Sequence, residues 1–243
     1  MERQINLNIK IPADLITINC NNPLEGAKAL EFSSKNIEFN NVLLFTDKKI
    51  KGSFDLIKIK KITDVGQYNN FILKLDNYIK SPYVIVIQDD GHIVNPEKWS
   101  DQFLNYDYIG APWPNDKKWN ARWLRYNEIG QQIIKNSKFN QIGNGGFSLR
   151  SKKFLEYSKQ YENTKILAED VFLNIYNYEN AKNFGIKYPD ISTAIDFSYE
   201  TPLKGKNLNK EKRNQEYNFD EHFGWHGKRF LNYSDLMDLK KLN

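Results

Sequence analysis

Tyr83-Val84-Ile85-Val86-Ile87 is an unbroken run of aromatic and β-branched residues, and it stops on Gln88-Asp89-Asp90-Gly91-His92. No polar residue alternates within the run. It therefore reads as a strand covered on both faces, as in a parallel sheet packed between helices. In open α/β sheets, ligands bind at the carboxyl ends of such strands. Asp89, Asp90 and His92 fall at that end. The plainer alternative is a charged turn after a core strand, with Gly91 as its turn residue.

The neighbouring segments extend the pattern. Residues 15–20 read as a strand, 25–35 as a helix, 42–46 as a strand and 55–62 as a more exposed strand. Residues 67–80 carry apolar side chains at helical spacing, and Ser81-Pro82 stops them just before the 83–87 strand. The order β-α-β-β-α-β predicts an α/β fold with a mostly parallel central sheet flanked by helices. Further on, Glu97 to Phe103 reads as a short helix and 106–114 as an extended segment. Residues 115–140 read as a long polar excursion. A strand is predicted at 146–150, helices at 151–161 and 168–178, and a late strand at 191–200. Residues 201–221 are charged and poor in apolar side chains, which predicts a mobile loop. No repeat or linker cuts the chain, so a single domain is expected. Residues 1–96 would form a nucleotide-binding type of α/β half and 97–243 the rest of the domain.

Composition excludes several classes. The 243 residues are 40% apolar and 14% aromatic, enough for one sizeable core and unlike a disordered chain. The 35 Lys and Arg against 30 Asp and Glu give a net charge of +5, spread without a long basic block. One cysteine, Cys20, rules out an intramolecular disulfide. The first residues lack the apolar core of a secretory signal, and no run is long enough to span a bilayer. A cytoplasmic protein without stable membrane insertion is the expectation.

Four segments carry candidate chemistry. In Gln88-Asp89-Asp90-Gly91-His92, carboxylates suit Mg²⁺ or Mn²⁺, and imidazole is acceptable to Mn²⁺. In Gly143-Asn144-Gly145-Gly146, three of the 13 glycines fall within four positions, so a sugar ring or phosphate has room to approach the backbone. The segment lacks the ending of a phosphate-binding Walker loop and precedes a strand, so it is no dinucleotide fingerprint either. Glu169-Asp170 opens a predicted helix, where acids also occur merely because they favour the helix dipole. Finally, Phe223-Gly224-Trp225-His226-Gly227 holds one of only three histidines. Trp113, Trp119, Trp123 and Trp225 are candidate stacking surfaces for a ligand, with core packing the alternative for each.

Taken in order, QDDGHIVNPEKW, YDYIGAPWP, GNGGFSLRS, AEDVF and FGWHG resemble the metal-dependent glycosyltransferases of the GT-A fold. More narrowly, they resemble a bacterial and viral glycosyltransferase family long filed as a domain of unknown function. The resemblance runs from about Leu15 to Gly227. It implies a nucleotide-sugar donor, UDP-linked by preference, a glycan or other hydroxyl acceptor, and Mn²⁺ or Mg²⁺. Asp90 would match the first acid of the family's D-x-D, His92 would replace the last, and His226 would be a third metal ligand. Asp170 would be the base of an inverting transfer, and Glu169 would hydrogen-bond the sugar. Asn19, Asn21, Asp47, Gln88, Asp89, Gly145, Gly146 and Trp113 would contact the donor.

Other readings stay open at this point. One is a non-catalytic nucleotide-sugar or glycan-binding module whose D-x-D has decayed to D-x-H. Another is a hydrolase built from the same parts. Nucleic acid, as acceptor or ligand, is suggested by a pI near 9.0 but disfavoured by the scattered charge.

Overall fold

The computed structural model describes residues 9–113, 140–164, 168–201, 203 and 221–227. The 115–140 excursion with Trp119 and Trp123 lies outside them, Asn140 excepted. So does nearly all of the 201–221 segment.

The predicted β-α-β-β-α-β half is present. It comprises β1 (Ile9–Ile18), α1 (Pro23–Ser34), β2 (Ile37–Thr46), β3 (Asp55–Lys58), α2 (Val65–Leu73) and β4 (Tyr83–Ile87). The strand expected at 55–62 is thus only four residues long, and the 67–80 helix breaks into α2 and a 3-10 turn, Leu75–Asn77. β5 (Gly91–Ile93), β6 (Tyr108–Gly110) and β7 (Phe147–Ser151) follow. Then come α3 (Lys152–Lys159), α4 (Glu169–Val171), α5 (Tyr178–Asn183), α6 (Ile191–Phe197), β8 (Ser198–Tyr199) and β9 (Gly224–His226).

The main sheet has the order β3-β2-β1-β4-β7-β6. The first four strands are parallel, β7 runs against β4, and β6 runs against β7. Five of the six strands therefore share a direction, and the fold is α/β with a mostly parallel central sheet. β4 is covered on both faces, as its unbroken apolar run requires. Ile85 and Ile87 belong to the larger core with Leu15, Leu44, Phe147 and Leu149. Val84 and Val86 belong to the core on the other side, with Ile16, Phe45, Ile72 and Leu155. A second, three-stranded sheet, β5-β9-β8, is built from the chain just after β4 and from two late segments.

Two expectations are corrected. Residues 191–200 are not one strand. Asp190 caps α6 by accepting from the Thr193 N–H at 2.7 Å, and Ala194 and Phe197 are buried at helical spacing. Only Ser198–Tyr199 are extended. The β-branched Ile191, Thr193 and Ile195 suggested a strand, but capping and burial decide for helix. Residues 97–103 form two 3-10 turns, Pro96–Lys98 and Asp101–Asn105, in place of one helix.

α2 has a strong start. The Asp64 side chain accepts from the Gln67 N–H at 2.8 Å, and Gln67 Oε1 accepts from the Thr63 N–H at 2.9 Å. Asp64→Ala is expected to lower unfolding free energy by about 1 kcal/mol in a urea titration. Among the described residues, no helix is long and apolar enough to cross a membrane.

Candidate functional site

A cavity of about 530 Å³ opens at the carboxyl ends of the parallel strands. Asn19, Cys20, Asn21 and Asn22 line it after β1, Gln88 and Asp89 after β4. Ile62 to Val65, Tyr68 and Asn69 form another wall around the start of α2, and Ala168, Glu169 and Asp170 close it. The parallel order β2-β1-β4 brings these loops to one edge of the sheet. Asn19 is held by its own turn, its Oδ1 accepting from the Asn22 N–H at 2.7 Å. Asp47 does not reach the cavity wall. It pairs with Lys48 at 3.4 Å at the end of β2.

Asp170 stands beside the glycine segment. Its Oδ2 accepts from the Gly145 N–H at 3.1 Å and its Oδ1 from the Val171 N–H at 2.8 Å. Burial raises its pKa, the adjacent Glu169 and then Glu200 add to this, and the two backbone donors only partly oppose it. The result is about 7.

Glu169 is turned elsewhere. Both of its carboxylate oxygens meet Arg150, Oε1 at 2.9 Å and Oε2 at 3.4 Å, and the two side chains are 5% and 0% exposed. Glu169 nevertheless belongs to the cavity wall. Its carboxylate is engaged in a buried, forked ion pair.

His226 forms a second cluster. Strand β9 pairs with β5 so that His226 lies opposite Gly91 and Trp225 opposite His92. Directly paired residues share a face and neighbours alternate, so His92 points away from the His226 side. His92 is fully buried, its ring edge-on to Phe32 of α1 at 5.6 Å. It is corrected from metal ligand to core residue.

The groups that do meet His226 Nε2 are Asp90 Oδ1 and Gln88 Oε1, each at 3.3 Å. Glu200 Oε1 lies 3.4 Å from Nδ1, and Asn144 Nδ2 lies 3.0 Å from the same atom. Burial alone would lower the His226 pKa. The carboxylates of Asp90 and Glu200 outweigh it and push it up to about 10.

No group of three or more His, Cys, Asp or Glu side chains among the described residues is arranged to hold a metal. The convergent set is one carboxylate, one amide oxygen and one imidazole nitrogen. Two oxygens thus flank one imidazole nitrogen, and such mixed O and N donors suit Mn²⁺ better than Mg²⁺.

The glycines join the two clusters. A Cβ on Gly145 would lie 2.6 Å from Glu169 Oε1 and 3.0 Å from Asp170 Cβ. One on Gly146 would lie 2.0 Å from His226 Nε2, and one on Gly143 would lie 2.3 Å from the Trp113 ring. The space read from sequence as room for a ligand is thus filled by the protein's own side chains. Trp113 is 3% exposed, its Nε1–H donating to Glu200 Oε2 at 2.8 Å, and Trp225 is fully buried against Tyr199. Neither presents a free face to a sugar.

Sequence reasoning missed Glu200, Arg150 and Tyr68. Gln88 Nε2 donates to the Tyr68 hydroxyl at 3.4 Å, which turns the Gln88 carbonyl oxygen toward His226. Burial, and next the charge of Glu169, push the Tyr68 pKa up to about 12, so the phenol stays neutral. The one available signal was Arg150 itself, a charged residue inside a strand of buried ones.

No curated protein matches the chain. Two similar solved structures are of the galactosyltransferase LgtC. Each is 13% identical and covers 94% of this chain and 95% of that chain. One is a complex with donor and acceptor sugar analogs, with a TM-score of 0.46, and the other is an active-site mutant, with a TM-score of 0.49. Residues 52–215, about two thirds of the sequence, match the family described as a protein of unknown function, DUF5672. That stretch takes in the Gln88–Asp90 corner, the glycine segment and the Asp170 turn, and leaves out β1 and the His226 strand; the chain belongs to this family.

Proposed function

We propose that this chain transfers a sugar from a nucleotide-diphosphate sugar, with UDP the favoured nucleotide, to an acceptor hydroxyl with inversion at the sugar carbon. One observation carries the reading. A carboxylate whose pKa lies near 7, Asp170, lines a cavity at the strand ends while Gln88, Asp90 and His226 converge close by. The five sequence segments that resemble GT-A glycosyltransferases supply the same groups.

In this reading Asp170 is the general base. It takes the proton of the acceptor hydroxyl as that oxygen attacks the sugar carbon from the face opposite the diphosphate. Its two backbone donors leave each oxygen a further lone pair for this purpose. Asn19, Asn21 and Asp89 contact the nucleotide from the strand ends. Gln88, Asp90 and His226 would hold a divalent ion, which when bound neutralises charge on the departing diphosphate. The neutral Tyr68 orients Gln88. Residues 1–96 chiefly hold the donor, and residues 97–243 contribute the base and the acceptor side.

The test is a thermal-shift screen of nucleotide sugars with and without Mn²⁺. A true donor raises the melting temperature with concentration, following RT ln(1 + [L]/Kd), and more so with the metal. No shift with any nucleotide sugar would sink the reading, and a shift indifferent to Mn²⁺ would remove the metal from it. Gly146→Ala adds a finer check, because its methyl collides with His226. Mn²⁺ affinity, followed by electron paramagnetic resonance, should fall about 10–100-fold while the protein stays folded.

A further inference from the structure

The turn that carries Asp170 has little of its own to hold it. α4 is three residues long, its cap residue Ala168 offers no side-chain hydrogen bond, and a π-helical turn, Phe172–Tyr176, follows directly. The Asp170 carboxylate is nevertheless fixed on the Gly145 N–H.

The connection runs through Arg150. Its Nε donates to Ser148 Oγ at 3.0 Å, and one terminal nitrogen reaches the Gly145 carbonyl at 3.4 Å. The guanidinium lies over the Tyr108 ring, 5.5 Å from its centroid. The Tyr108 hydroxyl in turn meets the carbonyls of Gly143 and Asn144 at 2.9 and 2.8 Å. The far edge of the same guanidinium forks onto Glu169, the residue before Asp170. The Glu169 N–H is also held, by Asn69 Oδ1 at 3.3 Å.

We propose that Arg150 and Glu169 are a positioning pair for Asp170, holding the α4 turn against the glycine segment so that the Asp170 carboxylate stays on the Gly145 N–H at the cavity wall. The inference rests on the reading of Asp170 as the base and concerns how that base is held. A buried ion pair adds little net stability over apolar residues of the same volume. What it does supply is direction, because the planar guanidinium fork fixes both partners. One guanidinium thereby locks both the glycine segment that offers the N–H and the turn that offers the carboxylate.

The charged and titratable groups around Asp170 come from several elements. Glu169 lies on its own turn and Glu200 follows β8, and both raise the Asp170 pKa. Tyr68 of α2 and Tyr108 of β6 are buried phenols whose own pKa values are pushed up, first by burial. Arg150 of β7 reaches Asp170 through Glu169 and Gly145.

The test uses the free full-length chain and no sugar ligand. Amide exchange is followed at Gly145, with Ile85 and Leu149 of the β4–β7 pairing as references. The Asp170 carboxyl carbon is titrated by NMR and assigned by its loss in Asp170→Asn. In Glu169→Gln, Gly145 exchange should speed up by about tenfold or more while the references hold. The Asp170 midpoint should fall by about one pH unit, since a neighbouring negative charge is gone. Arg150→Lys keeps the charge but not the fork, and should speed Gly145 exchange in the same way. If Glu169→Gln does not fold, Glu169→Asp, shorter by one methylene, gives the reading. Unchanged Gly145 exchange and an unchanged Asp170 midpoint in folded variants would overturn the proposal. A chain that passes this test yet binds no nucleotide sugar would refute the transferase function and leave the positioning pair intact.

Discussion

Asp170→Asn is expected to lower the rate of sugar transfer by about 10²–10⁴-fold, the range general-base assistance typically supplies. Nucleotide-sugar affinity should be nearly unchanged if, as proposed, the Asp170 carboxylate acts on the acceptor. The pH dependence gives a second handle. A base must be deprotonated to accept a proton, and the Asp170 pKa is raised to about 7, by burial first and the Glu169 charge second. The transfer rate of the unaltered protein should therefore rise as pH climbs through about 7 and level off above it. The residual rate of Asp170→Asn should lack that ascending limb. Initial rates across pH 5–9, with binding measured separately by calorimetry, decide the matter. A variant that transfers at the native rate, or that keeps the same limb, would show that another group takes the proton.

Arg150→Met should cost about 3–5 kcal/mol of unfolding free energy, the effect of removing one member of a buried charge pair. The size follows from what remains. The Glu169 side chain is 5% exposed and would keep its carboxylate in a dry site without its guanidinium partner. Joining Arg150→Met with Glu169→Leu should recover most of the loss, since two apolar side chains of similar volume need no compensation. Urea denaturation of the two variants and the parent measures this. Added salt should change the outcome little, because screening acts weakly on a buried pair. A single-variant cost below about 1 kcal/mol would mean that water reaches Glu169 when Arg150 is gone.

The sequence was most legible where local chemistry and fold agree. Tyr83 to Ile87 announced a doubly covered strand because neither face of β4 meets water, and the strand's bounds were read to the residue. Asp89 and Asp90 were expected at the carboxyl end of that strand, and the structure puts Asp89 in the cavity wall and Asp90 beside His226. His92 was misread for a geometric reason. A D-x-H spacing suggests one shared face only if the chain is evenly extended from Asp90 onward, yet Asp90 sits in a turn and β5 begins at Gly91. The partner of Asp90 in sequence is Gln88, two residues before it, whose amide oxygen reaches His226.

Glu200 was invisible for a different reason. It meets His226 and Trp113 only because β8 lies beside β9 in the small sheet, and no local pattern encodes that pairing. The glycine segment lies against Asp170 and His226, but the reason for its glycines was misjudged. Its residues lack side chains because Trp113, Glu169 and His226 already fill the space.

The small β5-β9-β8 sheet also orders events in time. Its central strand, β9, is supplied by residues 224–226, and it alone brings His226 to Asp90 and Gln88. Protein synthesis runs from the amino end, so every strand of the main sheet leaves the ribosome before this histidine does. A polypeptide ending after Tyr199 and before Gly224 would hold every strand of the main sheet and the Asp170 turn yet lack the imidazole at the corner.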